Sequence, residues 1–510
     1  MANSSQRKTG AILSYASIIV TTIVQLAYTP FLIRMLGQSE YGLYSLVSSI
    51  IGYLTILDFG FGNAIVIYTA KYRTNKNKEE EEKMHGMFHL IFNVTGIIVA
   101  LLGLVIYFNV ENIFGNSMND VELSKTKIMT LILCFNLIAS FAFNIYSSII
   151  SGYEKFAFQK IMAIISSLLR PLIMIPLLLL GCKSITMCIV ITIINIITVL
   201  SNYLYCKQKL NIKVKFRGFD LKIFKKLFCY SFFIFLAVIV DKINWNVDQI
   251  ILGAICGTVA VSIYSVASQF NQLFINLSTA ISGVLLPKMS IMVENNASKE
   301  ELTDELIKVG RLQFYIIFLM VSSLILIGKP FIVWWAGIDY ENSYYVALLL
   351  IIPVCIPLIQ NLAVSICQAM NKHKFRAFAT TIMAIFNVGI SIILANKYGP
   401  IGCAIGTAIS LIIVNVIIMN IYYYKVIKLN IPKFWLNILS LLIPLSILTI
   451  ILAIMLKYIL VDNIVVVLLI ECIYVILYGI LCYFILFNNY EKDIVKNALI
   501  KLHLKKIAKK

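Results

Sequence analysis

Seven charged side chains lie inside long apolar stretches of this 510-residue sequence, where helices that cross a lipid bilayer are expected. Such a side chain near the bilayer centre costs roughly 2.5–3.5 kcal/mol even on lenient insertion scales, so each one needs a partner, water or a function. The arginines and the lysine could bind anions, and the carboxylates could bind protons or cations. The seven residues are Asp58, Arg170, Asp241, Lys242, Asp248, Arg311 and Glu471.

The stretch VIVDKINWNVDQII is the most polar of these segments. On a helix, Asp241 and Asp248 share one face, and Lys242 shares the adjacent face with Asn246 and Gln249. Both faces need a cavity or another helix beside them rather than lipid. The two carboxylates are candidates for ion coupling or gating, because a buried carboxylate can gain or lose a proton as access alternates. The alternative is that they pair with Lys242 or cap their helix.

Further candidates occur in the later apolar stretches. Gln269, Gln272 and Asn276 recur at helical spacing, and we expect them to line the same cavity as substrate-binding residues. Arg311 lies near the inner end of its stretch, where it would either snorkel to the interface or contact the substrate. Glu471 is a candidate for ion coupling or gating.

Arg170 lies near the middle of its stretch, directly before Pro171 and six residues before Pro176. Proline kinks a helix, and the residue before it is biased away from helical geometry. A kink that exposes a guanidinium at mid-membrane suits an anionic ligand, because the guanidinium binds phosphate oxygens through paired hydrogen bonds and stays charged. The alternative is a structural ion pair with Asp58 or Asp241.

About fourteen apolar stretches occupy nearly the whole chain, and the second of them covers residues 41–69. The connections between them alternate in charge: of 43 Lys and Arg residues, 33 fall on one side of the implied membrane, seven on the other and three inside the stretches. Because basic loops resist translocation, this pattern places both termini in the cytoplasm. The sequence therefore predicts an all-α polytopic membrane protein with about 14 transmembrane helices.

Composition excludes several other classes of protein. Hydrophobic residues make up 60% of the chain and charged residues 13%, which is too apolar for a soluble fold. The alternating loops account for most of the net charge of +19, so no nucleic acid partner is expected. The eleven cysteines form no C-x-x-C pair, and the four histidines fall in or near predicted cytoplasmic loops, where we expect them to be solvated. We expect no enzyme activity, no metal and no cofactor other than a coupling ion, H⁺ or Na⁺.

An internal repeat divides the chain. The segment LGQSEYGLYSLVSS aligns with CGTVAVSIYSVASQ and pairs Gly37 with Gly257, and a second turn pairs Gly181 with Gly399 at nearly the same offset. The pairing predicts two parallel six-helix repeats plus two C-terminal helices, a plan typical of alternating-access transporters. The predicted domains are an N-lobe of helices 1–6 (1–206), a basic cytoplasmic linker (207–226), a C-lobe of helices 7–12 (227–424), helices 13–14 (425–487) and a basic cytoplasmic tail (488–510).

The segment YTPFLIRMLGQSEYGLYSLVSSIIGYLTILDFGFGNAIVIYTAKYR (28–73) resembles the first-hairpin signature of the polysaccharide exporters. These are flippases of lipid-linked oligosaccharides, such as O-antigen repeat units, within the multidrug/oligosaccharidyl-lipid/polysaccharide exporter superfamily. The stretch YGPIGCAIGTAIS (398–410) is also similar to that family. The matching positions in the first hairpin are Pro30, Arg34, Leu36, Gly37, Tyr41, Gly42, Tyr44, Asp58, Gly60 and Arg73.

The resemblance implies two lobes around a cationic cavity that carry a polyprenyl-diphosphate-linked oligosaccharide from the inner to the outer leaflet, for surface polysaccharide synthesis. Carried onto this chain, Arg170 and Lys242 become candidates for the diphosphate. Asp58, Asp241 and Asp248 become candidates for coupling or gating. The expected partners are the lipid-linked glycan, membrane lipids and other polysaccharide-assembly membrane proteins, and the expected location is the bacterial cytoplasmic membrane.

Two other functions stay open. A multidrug or cation extruder of the same superfamily would favour acidic over basic groups in its cavity, and this chain has both. A membrane polysaccharide polymerase or ligase would carry a large external loop, whereas the longest external connection here is about residues 109–126. That difference makes the enzyme the less favoured of the two.

Overall fold

In the part of the chain that it describes, the computed structural model consists of helices joined by short connections, without a strand. It describes residues 2–216, 221–282, 286–370, 372, 374–456 and 464–497. Side chains are described for these residues except at positions 2–12, 15, 221–234, 236, 237, 241, 277, 280–282, 286 and 287. The all-α prediction is thereby confirmed.

The chain forms two compact units. Unit 1 comprises Met1–Val266 together with Ala384–Gly406. Within it, α1 packs against α6, α4 against α5, and α5 against α7, and α2 lies against α8. Its helices are α1 (Ala2–Leu36), α2 (Gln38–Leu54), α3 (Phe61–Thr74), α4 (Lys78–Phe114), α5 (Asp120–Gly152), α6 (Phe156–Leu179), α7 (Ser184–Gln208), α8 (Leu221–Ile255) and the first part of α9 (Thr258–Ser282).

Unit 2 comprises Ala267–Met383 and Thr407–Lys510. In it, α11 is the helix around which α12, α16 and α17 pack. Its helices are the rest of α9, α10 (Leu286–Glu294), α11 (Lys299–Ala336), α12 (Asn342–Ile359), α13 (Asn361–Ala369), the two ends of α14 (Lys374–Leu411), α15 (Met419–Tyr422), α16 (Ile431–Leu456) and α17 (Ile464–Leu481). The predicted division into lobes at 207–226 rests on the sequence repeat, not on these compact units, and stays a prediction.

Eleven helical segments in the described part of the chain are long and apolar enough to cross a membrane. Their outward faces carry large apolar side chains, such as Phe108 at 72% exposure and Phe484 at 71%, which only lipid can cover favourably. The protein is therefore a multi-pass membrane protein. One of the eleven, Lys374–Ile427, is 54 residues long and is broken at Gly399, where φ is 55° and ψ is −132°. The count of fourteen stays a prediction.

The glycines of the predicted repeat share an unusual backbone conformation. Gly37, which precedes α2, has φ of 79°, and Gly257, which precedes α9, has φ of 81°. Gly181 and Gly399, the second aligned pair, also have positive φ. Positive φ is a conformation that glycine adopts readily, so both aligned pairs place glycine where the backbone favours it.

The predicted second span, 41–69, is not one continuous helix. It is divided into α2 and α3 by a tight turn at Thr55–Asp58 followed by two left-handed residues, Phe59 at φ 51° and Gly60 at φ 70°. A left-handed phenylalanine costs of order 1–3 kcal/mol, and such strain concentrates at functional sites. The break lies in the sequence ILDFGFG and carries Asp58.

Two segments that the charge pattern assigns to the inner side of the membrane, around His85 and Lys215, pack against helices of unit 1. His85 is fully buried, and its Nε2 lies 2.9 Å from the Thr69 hydroxyl, so the expectation that it is solvated is wrong. The beginning of the predicted linker packs on α4, where the Lys215 ammonium lies 2.9 Å from the Glu82 carboxylate. The hydrogen bond to that carboxylate raises the pKa of Lys215.

Candidate functional site

The polar face of α8 that contains Lys242 packs against α2. The Ser49 hydroxyl donates to the side-chain oxygen of Gln249, one end of that face. Further along, a methyl group built on Gly52 would lie 3.5 Å from Asn246 Nδ2 and 3.8 Å from Lys242 Nζ. The predicted face of Lys242, Asn246 and Gln249 is thus held against α2, and the absence of a side chain at Gly52 leaves room for the ammonium.

Asp248 lies on another face of α8 and is buried, with 1% of its surface exposed. The Tyr264 hydroxyl of α9 donates to its carboxylate. Tyr53 and Cys403 lie within electrostatic range of the same carboxylate. Asp248 is therefore a buried carboxylate held by a hydroxyl of α9. The side chain of Asp241 lies outside the described residues.

Asp58 occupies the break between α2 and α3. Asn144 of α5 donates to its Oδ1 at 2.9 Å, and the side chain is half-buried. The hydrogen-bond donor to this carboxylate is therefore a neutral amide. Broken helices at membrane depth are tolerated where the backbone is buried in protein or lines a cavity.

Arg170 lies near the middle of α6, which continues as one helix through Pro171 and Pro176. Its side chain is exposed, and it forms no hydrogen bond or ion pair with any residue in the described part of the chain. The alternative ion pair with Asp58 is not formed. Tyr44 of α2 lies within electrostatic range of the guanidinium. Arg170 is thus a cation at membrane depth without a partner among the described side chains, and the alternative ion pair with Asp241 lies outside them.

The candidates in unit 2 are separate groups. Gln272 and Asn276 are exposed on α9 and bonded to each other at 2.9 Å, and Gln269 is half-buried one turn away. Glu471 of α17 accepts a hydrogen bond of 2.5 Å from Ser323 of α11. The expectation that the amides share a cavity with α8 stays a prediction.

Arg311 is part of a closed network in unit 2. Its Nε and Nη2 donate to the two oxygens of Glu491 at 2.6 and 2.9 Å, and Nη2 also donates to the Leu486 carbonyl at 2.9 Å. Tyr315 adds a further contact to the same carboxylate. The guanidinium is occupied by protein groups, which favours a structural role over both snorkelling and substrate contact.

A second network involves two glutamates at the ends of apolar stretches, which the sequence did not mark as candidates. Glu40, 6% exposed at the start of α2, is bound by the Lys125 ammonium of α5 and by the Ser184 hydroxyl of α7. Nearby, Glu122 accepts hydrogen bonds from Ser39 at 2.5 Å and from Thr258 of α9 at 2.8 Å. These glutamates look like loop residues in sequence, because each lies at the end of an apolar stretch. Only the packing of the helix ends reveals their burial.

Comparison with solved structures identifies the class of fold. The chain matches a lipid II flippase, MurJ, in an inward closed conformation with a TM-score of 0.70 at 22% identity, over 93% of this chain and 98% of that one. It also matches an inward-facing multidrug resistance MATE family transporter of the MOP superfamily with a TM-score of 0.58 at 14% identity, over 78% of this chain and 96% of the other. The chain therefore shares its fold with these two membrane proteins.

Sequence comparisons are more specific. A protein of Shigella flexneri named as an O-antigen transporter is 23% identical over 79% of this chain and 94% of its own length. A Salmonella typhimurium protein with the same name is 30% identical over 24% of this chain and 28% of its own length. The model of the family described as "Polysaccharide biosynthesis protein" matches residues 8–293. The chain belongs to that family, whose matched relatives are named as transporters and not as enzymes.

Proposed function

We propose that this protein is an alternating-access transporter that flips polyprenyl-diphosphate-linked oligosaccharide repeat units from the inner to the outer leaflet of a bacterial cytoplasmic membrane. The observation that carries the proposal is Arg170, a cation at membrane depth with no protein partner in the described residues. A diphosphate supplies the oxygens that a guanidinium binds in pairs. Family membership and the relatives named as O-antigen transporters support the same cargo class.

The second cation, Lys242, would assist at the α2–α8 contact, where Gly52 leaves space beside the ammonium. The carboxylates of Asp58 and Asp248, which accept hydrogen bonds from Asn144 and Tyr264, would respond to a coupling ion, H⁺ or Na⁺. We also expect other polysaccharide-assembly membrane proteins as partners, those that act before and those that act after transfer across the membrane. Both termini would lie in the cytoplasm.

A leaflet experiment tests the proposal. The protein is depleted in cells that make the polymer, and lipid-linked oligosaccharide is scored by a membrane-impermeant lectin or glycosidase in intact and in lysed cells. Material that becomes accessible only after lysis means that transfer across the membrane is blocked, as the proposal requires. Short units that accumulate on the outer face would instead indicate a polymerase.

A multidrug or cation extruder is the second candidate, favoured by the acidic residues Asp58 and Asp248 and by the MATE fold neighbours. In the depletion experiment, it predicts no change in any lipid-linked glycan. It also predicts that depleted cells become sensitive to cationic dyes. Arg170 argues against it, since an unpaired guanidinium beside the cargo repels a cation.

A further inference from the structure

Helix α5 carries a row of neutral polar side chains that the proposed function does not yet use. Asn136, Ser140, Asn144 and Ser147 recur at spacings of four, four and three residues, and so share one face of the helix. At 1.5 Å per residue the row extends about 17 Å along a bilayer core of about 30 Å. All four side chains are half-buried.

Two neighbouring helices of unit 1 extend this row with amides. Asn195 of α7 donates to Asn136 Oδ1 at 2.6 Å and to Ser140 Oγ at 2.7 Å. Gln159 of α6 donates to the Ser147 carbonyl at 2.6 Å. We name the six side chains, Asn136, Ser140, Asn144, Ser147, Gln159 and Asn195, the amide track.

The amide track does not face lipid. The lipid-facing side of α7 consists of exposed apolar residues at helical spacing, among them Ile193 at 51% and Ile197 at 51% exposure, and Asn195 lies on a different side of the helix. On α5, Phe135 is 58% exposed whereas its neighbour Asn136 is half-buried. The track therefore faces the interior of unit 1.

The track also has hydrogen-bonding capacity to spare. Asn136 uses its oxygen for Asn195, Asn144 uses its nitrogen for Asp58, and in the described residues the remaining amide atoms of both have no protein partner. Neither atom is fully buried, so each is open to water or to a ligand. Lipid cannot satisfy such groups, and an unsatisfied polar group in the bilayer core costs several kcal/mol.

We propose that the amide track is the path of the sugar residues, and that it recognises a polyhydroxylated head group through alternating amide and hydroxyl contacts. This inference rests on the proposed function and adds a separate glycan subsite to the cationic groups. Neutral donors and acceptors match sugar hydroxyls, whereas a diphosphate would be bound by arginine or lysine and an organic cation by carboxylates.

Transport in proteoliposomes tests the inference with two cargoes. One is the polyprenyl diphosphate that carries the cell's own repeat unit, and the other is the same lipid with a single N-acetylglucosamine. The double variant Asn136→Leu/Asn195→Leu replaces a bonded pair by apolar groups of similar size, which preserves packing. We expect at least a tenfold loss with the full unit and less than a twofold loss with the single sugar. Asn112→Leu, exposed at the end of α4, is the matched control and should change neither rate.

Equal loss with both cargoes, or no loss with either, would overturn the glycan subsite. If wild-type protein moves neither lipid, the proposed function itself has failed, so the two failures are distinguishable. If the wild-type protein moves only the lipid with the full unit, recognition extends beyond the first sugar. The cysteine-labelling measurement described next then decides whether the amide track binds that unit.

That measurement uses Ser140→Cys, a nearly isosteric change, in a protein whose native cysteines are replaced. A small neutral thiol reagent should modify Cys at this position, and the lipid-linked repeat unit should slow the reaction at least fivefold, whereas the single-sugar lipid should not. Unchanged labelling in the presence of the full unit would contradict the proposal. Labelling reports binding and does not require transport, so the measurement is valid even if the Ser140→Cys variant transports slowly.

Discussion

Arg170 in unit 1 and Arg311 in unit 2 are both arginines within membrane-spanning helices, yet their surroundings differ completely. Arg170 is exposed and has no hydrogen-bond or ion-pair partner in the described part of the chain. The Arg311 side chain is 11% exposed and is held by both oxygens of Glu491, whose side chain is 2% exposed. The two guanidinium groups therefore differ in role within the fold: Arg311 is held by a buried carboxylate, whereas Arg170 has no such partner in the described residues.

The difference shows how intramembrane charges should be sorted. A pair such as Arg311–Glu491 fixes the segment after α17 to α11, since Tyr315 and the Leu486 carbonyl belong to the same network. A charge without such a network has no stabilising contact within the protein that offsets its desolvation cost. The comparison predicts that the first kind governs stability and the second kind governs transport.

The largest expected effect is on the buried pair. Glu491→Ala leaves the Arg311 guanidinium buried without its anion, which typically destabilises a protein by about 3–5 kcal/mol. We expect a large fall in the thermal unfolding temperature of the purified protein, measured in detergent or nanodiscs. The double variant Arg311→Met/Glu491→Leu removes both charges and should recover most of the loss. A single variant as stable as the wild type would show that the pair is not the anchor described.

Arg170→Ala should impair transport and leave stability nearly unchanged, the reverse of what we expect for Glu491→Ala. Because the side chain has no protein partner in the described residues, the free energy of unfolding should stay within about 0.5 kcal/mol of wild type. Loss of a charged hydrogen bond to the diphosphate, worth about 1.5–3 kcal/mol, should lower transport ten- to hundredfold.

Arg170→Lys is the matched control for charge without paired geometry, and it should retain part of the activity. Flipping of the lipid-linked repeat unit in proteoliposomes is the measurement, with unfolding temperature in parallel. Wild-type transport by Arg170→Ala would remove Arg170 from the site and with it the comparison.

Tyr264→Phe extends the comparison to a carboxylate of unit 1. Like Glu491, Asp248 is buried and accepts hydrogen bonds from the protein. Its carboxylate accepts from the Tyr264 hydroxyl, and removal of that donor from a buried acceptor costs about 1–3 kcal/mol. The unfolding temperature should fall by less than in Glu491→Ala. Tyr68→Phe, on α3, is a control that should leave stability unchanged. A neutral result for Tyr264→Phe would mean that other groups around Asp248 replace the hydroxyl.

How much of this could be predicted from the sequence depends on the range of the interaction. Helical periodicity and loop charge sufficed for the all-α membrane fold and for the face of α8 that carries Lys242. The break at Phe59–Gly60 was missed, because a helix and a helix with one strained turn have the same hydropathy. The sequence ILDFGFG held the signal, in its two glycines beside an aspartate.

Partners that are distant in sequence were beyond reach. Arg311 and Glu491 are 180 residues apart, and Glu40 and Ser184 are 144 apart. No local pattern links such positions, so Arg311 was expected either to snorkel or to contact the substrate, and Glu40 was overlooked. The amide track was missed for a different reason, since isolated Asn and Ser residues in apolar stretches carry no charge to mark them.

The smallest expected effect concerns Gly52, which lies beside Lys242. A methyl group there would make ordinary contacts of 3.5 Å to Asn246 and 3.8 Å to Lys242, and alanine is favoured over glycine in a helix by up to about 1 kcal/mol. We therefore expect Gly52→Ala to raise the free energy of unfolding by about 0.5 kcal/mol. Gly42→Ala, on the same helix, is the matched contrast, because its methyl group would overlap the Thr258 carbonyl and must destabilise. If Gly52→Ala instead destabilises as strongly as Gly42→Ala, the space between Gly52 and the Lys242 ammonium is already filled.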